Sequence, residues 1–202
     1  MIRLADGPMT WVATGDSITQ GVLHTHGGRS WVEHLHERVR WQLDRLTDIV
    51  VNTGVSGWGA VDVLAAHERL IGRFEPDVLS VSLGTNDCLD GEDGLPAFHD
   101  AMRRIVAGVR PRTQVVLHTP ALVGFSGRER RTALPAYCQA VREIAEDTGA
   151  LLVDHETHWR KHHGTADPIA WLDDAAHPNA VGHLHMAEHT LRTLGLGGLD
   201  PL

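Results

Sequence analysis

Cysteine is nearly absent: the 202 residues contain two, Cys88 and Cys138, too few for a disulfide framework and expected to be thiols. Nothing in the chain approaches the roughly 20 consecutive apolar residues of a membrane span. The first nine residues, with Arg3 and Asp6 among them, contain no apolar core of a secretory signal. The expected location is therefore cytoplasmic, with no membrane partner. Positive charge is also scarce. Against 26 Asp and Glu stand 18 Lys and Arg, a formal net charge of -8, which argues against nucleic acid and anionic lipid surfaces, since both are bound chiefly through Lys and Arg clusters. Low-complexity tracts, long charge blocks and internal repeats are missing too, so the chain reads as ordered.

What is present is an ordinary globular composition, 42% hydrophobic and 22% charged, with one unusual item, 15 histidines. Imidazole titrates near pH 6.5, so protonating most of them would reverse the sign of the net charge in mildly acidic solution. The length suits one domain with a substantial core, residues 1–202.

Short apolar runs at 10–14, 48–52, 78–83, 114–118 and 151–154 alternate with longer amphipathic segments at 30–43, 60–71, 96–109, 133–148 and 180–194. Ser30 is a candidate cap for the first of these segments, and Gly149 ends the fourth. Strand alternating with helix predicts an α/β protein, a three-layer αβα sandwich around a five-stranded parallel sheet. In such sheets ligands bind beyond the carboxyl ends of the strands.

Four short strings fall at those ends or in the loops that follow them: Gly15-Asp16-Ser17-Ile18, Asn52-Thr53-Gly54, Gly84-Thr85-Asn86-Asp87 and Asp174-Ala175-Ala176-His177. Ser17 follows the first strand, where its hydroxyl can serve as a nucleophile if a base lies within hydrogen-bond reach. His177 is a candidate base, with Asp174 three residues before it and Asp173 four residues before it as competing carboxylates to fix its tautomer. Asn86 offers a side-chain amide and Gly54 an unhindered backbone N–H to a developing oxyanion. Each string alone is an ordinary post-strand turn. Together they supply the inventory for serine-dependent ester hydrolysis.

In order and in span these four blocks resemble the SGNH hydrolase, or GDSL-type esterase and lipase, family. The resemblance implies a flavodoxin-like SGNH fold and a hydrolase acting on carboxylic esters through an acyl-enzyme. It implies Ser17 as nucleophile, His177 as base and Asp174 as its partner, with Ser17 N–H, Gly54 N–H and Asn86 as the oxyanion hole. It implies no cofactor and no metal, with a small-molecule ester (short-chain acyl, O-acetyl or lipid) as substrate. Ile18 stands where the family's name expects Leu, a change between branched apolar residues. An α/β-hydrolase shares the order Ser, Asp, His, but Thr19 occupies the place of the second glycine in its Gly-x-Ser-x-Gly elbow. The same acyl-enzyme chemistry would serve an acyltransferase. A catalytically silent sugar- or lipid-binding module is a further alternative, and the intact set Ser17, Asn86, Asp174 and His177 counts against it.

Histidines cluster at His155, His158, His162 and His163, and again at His183, His185 and His189, with His24 and His26 just after the nucleophile block. No HExxH string accompanies them, so the clusters carry no assigned metal site, and His155 and His158 are expected to line a pocket or to be solvated. Trp58, Phe125 and Trp171 are candidates for an acyl or sugar platform or for core packing. The aperiodic stretch 121–131 reads as a loop beside the site.

Overall fold

A computed structural model describes residues 1–199. All five expected strands are present: β1 (Thr10–Gly15), β2 (Ile49–Asn52), β3 (Val78–Ser82), β4 (Gln114–His118) and β5 (Leu151–Val153). They are parallel throughout, in the order β2-β1-β3-β4-β5. That is the doubly wound flavodoxin-type order, whose topological switch point lies between β1 and β3. The helices in chain order are α1 (Ser17–Gln20), α2 (Trp31–Glu37), α3 (Ala60–Ala65), α4 (His67–Leu70), α5 (Leu95–Ala107), α6 (Phe125–Arg128), α7 (Leu134–Thr148), α8 (His155–His163) and α9 (Ala180–Leu194). None of the described helices is long and apolar enough to cross a membrane.

Alternation along the strands divides the core in two. Val12, Leu79, Val81 and Leu117 face α3, α5 and α7, where Phe98, Met102, Tyr137 and Ile144 pack on them. Trp11, Ala13, Val78, Val116 and Val153 face α2, α8 and α9, meeting Trp31, Leu35, Trp159 and Leu191. Fully burying one such aliphatic or aromatic side chain is worth about 1.5–3 kcal/mol, so both faces must be covered for the sheet to persist. At the amino edge, buried Asp48 ties β1 to the turn before β2. It accepts from Met9 N–H at 3.0 Å, Trp11 Nε1–H at 2.9 Å and Arg45 Nε–H at 2.7 Å. Burial alone would raise its pKa, but the Arg45, Trp11 and Met9 hydrogen bonds hold it below the usual carboxylate range.

Three elements differ from expectation. The first amphipathic segment starts at a capping box, with Glu33 N–H donating to Ser30 Oγ at 3.3 Å and Ser30 N–H to Glu33 Oε2 at 2.7 Å. It then widens into a π-helical turn over Arg38–Gln42. The segment 60–71 breaks at Ala66 into α3 and α4. Helix α8 is unanticipated: its one apolar residue, Trp159, gives no periodicity, and its start is set by Asp154 Oδ1, which accepts Thr157 N–H at 3.0 Å.

That helix also relocates the histidines. His155 and His118 are fully buried, joined Nε2 to Nδ1 at 3.1 Å, and His155 continues through His189 to His158 by ring contacts. His155 is therefore packed in the core and lines no solvent pocket, while His158 is half-buried, stacked on His189 and Trp171. His183 Nδ1 accepts Trp31 N–H at 3.2 Å at the start of α2. Burial lowers His118 to about 3 and His158 and His183 to about 4, and holds His155 well below its ordinary value.

Each of these imidazoles binds a proton less readily folded than unfolded. The stability carried by the neutral rings is thus present above about pH 6.5 and is lost as pH falls from there toward the folded values. Burial raises the carboxyls Asp16 and Asp87, which pull the other way, so the informative quantity is a difference between proteins. The Tm of the wild type should fall more steeply between about pH 7 and pH 4 than that of His118→Gln. Differential scanning fluorimetry across that range checks this, and parallel curves would remove His118 from the account.

Candidate active site

The loops after β1, β2 and β3 meet at the switch point because their backbones approach more closely than side chains permit. A Cβ at Gly15 would lie 2.3 Å from Ser82 O, and one at Gly54 would lie 2.4 Å from Gln20 N. Glycine at both positions is what lets the neighbouring loops close on the turn that carries Ser17. Asp16 caps that turn, its Oδ1 accepting Ile18 N–H at 2.8 Å. Beneath the third loop, Asp87 accepts Ala60 N–H at 2.7 Å and Gly84 N–H at 2.9 Å, which fixes the segment bearing Asn86 against α3. Burial pushes Asp16 up to about 7, and the nearby Asp87 charge adds to the shift. Neither carboxyl stood out in the sequence beyond its place in a motif.

At the other end of the chain the loop before α9 is closed by its own backbone. Asp173 N–H donates to His177 O at 2.9 Å, Leu172 and Pro178 form an antiparallel bridge, and Gly124 N–H donates to Ala175 O at 2.9 Å. Asn179 caps α9 through Val181 N–H and Gly182 N–H. The stretch 121–131 therefore braces this loop from below, and its middle forms the single turn α6.

Ser17 Oγ and His177 Nε2 stand 2.9 Å apart, and His177 Nδ1 lies 2.8 Å from Asp174 Oδ2. A carboxylate only accepts, so Nδ1 carries the proton and Nε2 is the acceptor for the serine hydroxyl. Asp174 Oδ1 also accepts Ala176 N–H and His177 N–H, each at 2.8 Å. Burial would raise Asp174, but these hydrogen bonds outweigh it and hold the carboxyl at about 2, ionised throughout the working range. The arrangement can draw a proton from Ser17 and stabilise the imidazolium that results.

Ser17, Asn86 and His177 line a cleft of about 420 Å³ with Gln20, His24 and Gly57. Asn86 spends one amide hydrogen on Trp58 O at 3.0 Å, which orients the group, and among the described residues the second has no acceptor. Gly54 does not meet its expectation. Its N–H donates to Asn52 Oδ1 at 2.9 Å, and it packs behind the Ser17 turn. Gly57, three residues on, is the glycine at the cleft: its φ of 80° is left-handed, and among the described residues its N–H meets no acceptor.

The Asp173 carboxylate does not engage the His177 ring. It accepts His24 Nδ1–H at 2.8 Å and His26 Nε2–H at 2.6 Å, and these bonds lower its pKa. His24 stacks on His177, a neighbour that sequence pattern gave no means of finding. His24, Asp174 and His177 offer ligand atoms within 4.8 Å of one another, and the Nδ1 atom of each imidazole is engaged by a carboxylate. Of the candidate platform residues, Trp171 is buried against His185 and His162, Phe125 lies under Arg128, and Trp58 is half-buried under Arg69. Cys88 is buried beside the Asn86 loop with its thiol pushed up to about 11 by burial, and neither cysteine is in a disulfide.

Residues 13–184 match the GDSL-like lipase/acylhydrolase family. A protein named acetylxylan esterase, from Geobacillus stearothermophilus, is 30% identical over 157 residues, which is 72% of either chain. A solved structure of Axe2, an acetylxylan esterase from that organism, superposes with a TM-score of 0.80 at 27% identity, covering 93% of this chain and 94% of that one. A structure described as an alpha/beta hydrolase enzyme, from the metagenome of Lake Arreo in Spain, superposes with a TM-score of 0.79 at 25% identity, covering 96% and 97%. Since the family match runs from within β1 into α9 and so spans the whole sheet, the chain belongs to the GDSL-like lipase/acylhydrolase family.

Proposed function

We propose that this carboxylic ester hydrolase works through an acyl-enzyme on Ser17, with His177 as general base and Asp174 as the carboxylate that fixes its tautomer. The observation that carries the reading is the unbroken line of contacts from Ser17 Oγ through the His177 ring to Asp174, at 2.9 Å and 2.8 Å. As Oγ attacks the ester carbonyl, its proton passes to Nε2. The tetrahedral oxyanion is received by Ser17 N–H, the second amide hydrogen of Asn86 and Gly57 N–H. Collapse expels the alcohol, which takes the proton from His177, and water repeats the sequence on the acyl-enzyme. Gly57 replaces Gly54 here because its N–H is unengaged and it borders the cleft.

For the substrate we favour an O-acetylated sugar. Two features support this class: the relatives named as acetylxylan esterases, and a cleft whose lining includes Gln20 and Ser56 beside Val22 and Leu23, polar groups able to hydrogen-bond a hydroxyl-rich alcohol.

Ser17→Ala should abolish hydrolysis of acetate esters with the fold retained, and a fluorophosphonate should label the wild type alone. Equal labelling of both proteins would remove Ser17 from the nucleophile role. The two neighbouring carboxylates should separate sharply. Asp174→Asn should cost about 10⁴ in kcat, whereas Asp173→Asn, whose side chain reaches the His177 ring only through His24, should cost no more than about tenfold. Asn86→Ala should lower kcat by about 10²–10³ with KM little changed, because an oxyanion donor acts mainly in the transition state. A rise in KM alone would make Asn86 a ground-state contact instead.

A further inference from the structure

A second histidine–carboxylate pair stands beside the first, and the reaction scheme leaves it unused. The rings of His24 and His177 are parallel, 3.8 Å between centroids and 7° between planes. His24 Nδ1 is held by Asp173 Oδ2 at 2.8 Å, and His26 Nε2 holds the other oxygen of Asp173 at 2.6 Å. Asp173 and Asp174 are consecutive in the chain, so one closed loop anchors both imidazoles.

The loop that delivers His24 is built against local preference. Leu23 and His26 both adopt left-handed backbone, with φ of 76° and 49°, a region disfavoured for residues with side chains. Its polarity is inverted as well: Val22 and Leu23 are 65% and 72% exposed while the His24 side chain is 19% exposed. Strain of this kind persists where the surroundings over-determine it, and it clusters at functional sites. Here the strained segment buries Thr25 and tucks the His24 imidazole against His177.

The consequence of the stack is mechanical. During acyl transfer His177 must keep Nδ1 on Asp174 while Nε2 passes a proton from Ser17 to the departing alcohol. Its side chain is 26% exposed, so rotation of the ring out of the Ser17–Asp174 plane would otherwise be open to solvent on one side. A flat ring at van der Waals distance closes that side and still permits small in-plane movement. We infer that His24, held by Asp173, is a positioning residue for acyl transfer, confining His177 to the plane that joins Ser17 to Asp174. The inference rests on the Ser17–His177 reading given under the proposed function.

The test uses His24→Ala, His24→Phe and Asp173→Ala, with kcat and KM measured on an aryl acetate, the rate of fluorophosphonate labelling at Ser17, and Tm for each protein. His24→Ala should lower kcat by about ten- to a hundredfold, the size of a misplaced catalytic group, with KM close to wild type. His24→Phe, which keeps a flat stacking ring, should recover most of that loss. A kcat for His24→Ala within about twofold of wild type, a change in KM alone, or a phenylalanine variant no better than the alanine one would each overturn the inference. If His24→Ala fails to fold, Asp173→Ala decides: lowered kcat at constant KM supports the inference, and unchanged kcat ends it. A wild type that does not label at Ser17 would instead bring down the nucleophile assignment, and the two failures are therefore distinguishable.

Discussion

Asp16 is a carboxyl with almost no water, and the placement of Ser17 depends on it. Its oxygen satisfies the second N–H of the one-turn helix that carries Ser17, that of Ile18, in a space so tight that the preceding glycine has no room for a methyl group. Keeping a carboxyl there is costly, as its rise to about 7 records. The cost is tolerable because the turn would otherwise leave a buried N–H without an acceptor, which is also costly. Asp87 performs the same service one strand away, holding the Asn86 loop to α3. Buried Asp16 and half-buried Asp87 thus brace the turns that carry Ser17 and Asn86.

Much of this was legible in sequence, for identifiable reasons. The five strands are short apolar runs, with the central β1 and β3 buried on both faces, a pattern with few competitors in a chain of this composition. Helices α5, α7 and α9 announce themselves through periodicity and their bounding proline and glycine residues. Helix α8 does not, because its contacts with the core are made by Trp159 and by histidines that count as polar in any periodicity and yet are buried as neutral rings. The candidate site was legible in part. Ser17, Asn86, Asp174 and His177 come together at one strand edge, but Gly54 and Gly57 sit in the same Asn-Thr-Gly-Val-Ser-Gly string, and only backbone direction tells them apart. His24 was invisible, since its role arises from a stack across 153 positions delivered by a loop in a disfavoured conformation.

The histidines illustrate how one residue type divides by environment. Those in the layer between β4, α8 and α9 are desolvated and linked ring to ring, so they act as compact aromatic filler that tolerates no proton. Those over the cleft are paired with carboxylates, where a proton on one nitrogen is required and its location is fixed by the partner. Composition alone, with 15 histidines, implied only a net charge that reverses in mildly acidic solution. Burial and pairing separate a packing role from a chemical one.

The serine hydroxyl and the imidazole that faces it are separated by 160 positions, one leaving the first strand and the other preceding the last long helix. In the proposed scheme a chain emerging from the ribosome therefore carries Ser17 early but acquires the matching base only after all five strands have been synthesised and α9 can dock. Until then Ser17, on that reading, is an ordinary alcohol, unable to attack esters from a half-made protein. Reactivity in this architecture is a signal of completed assembly, enforced by where along the chain the partners are written.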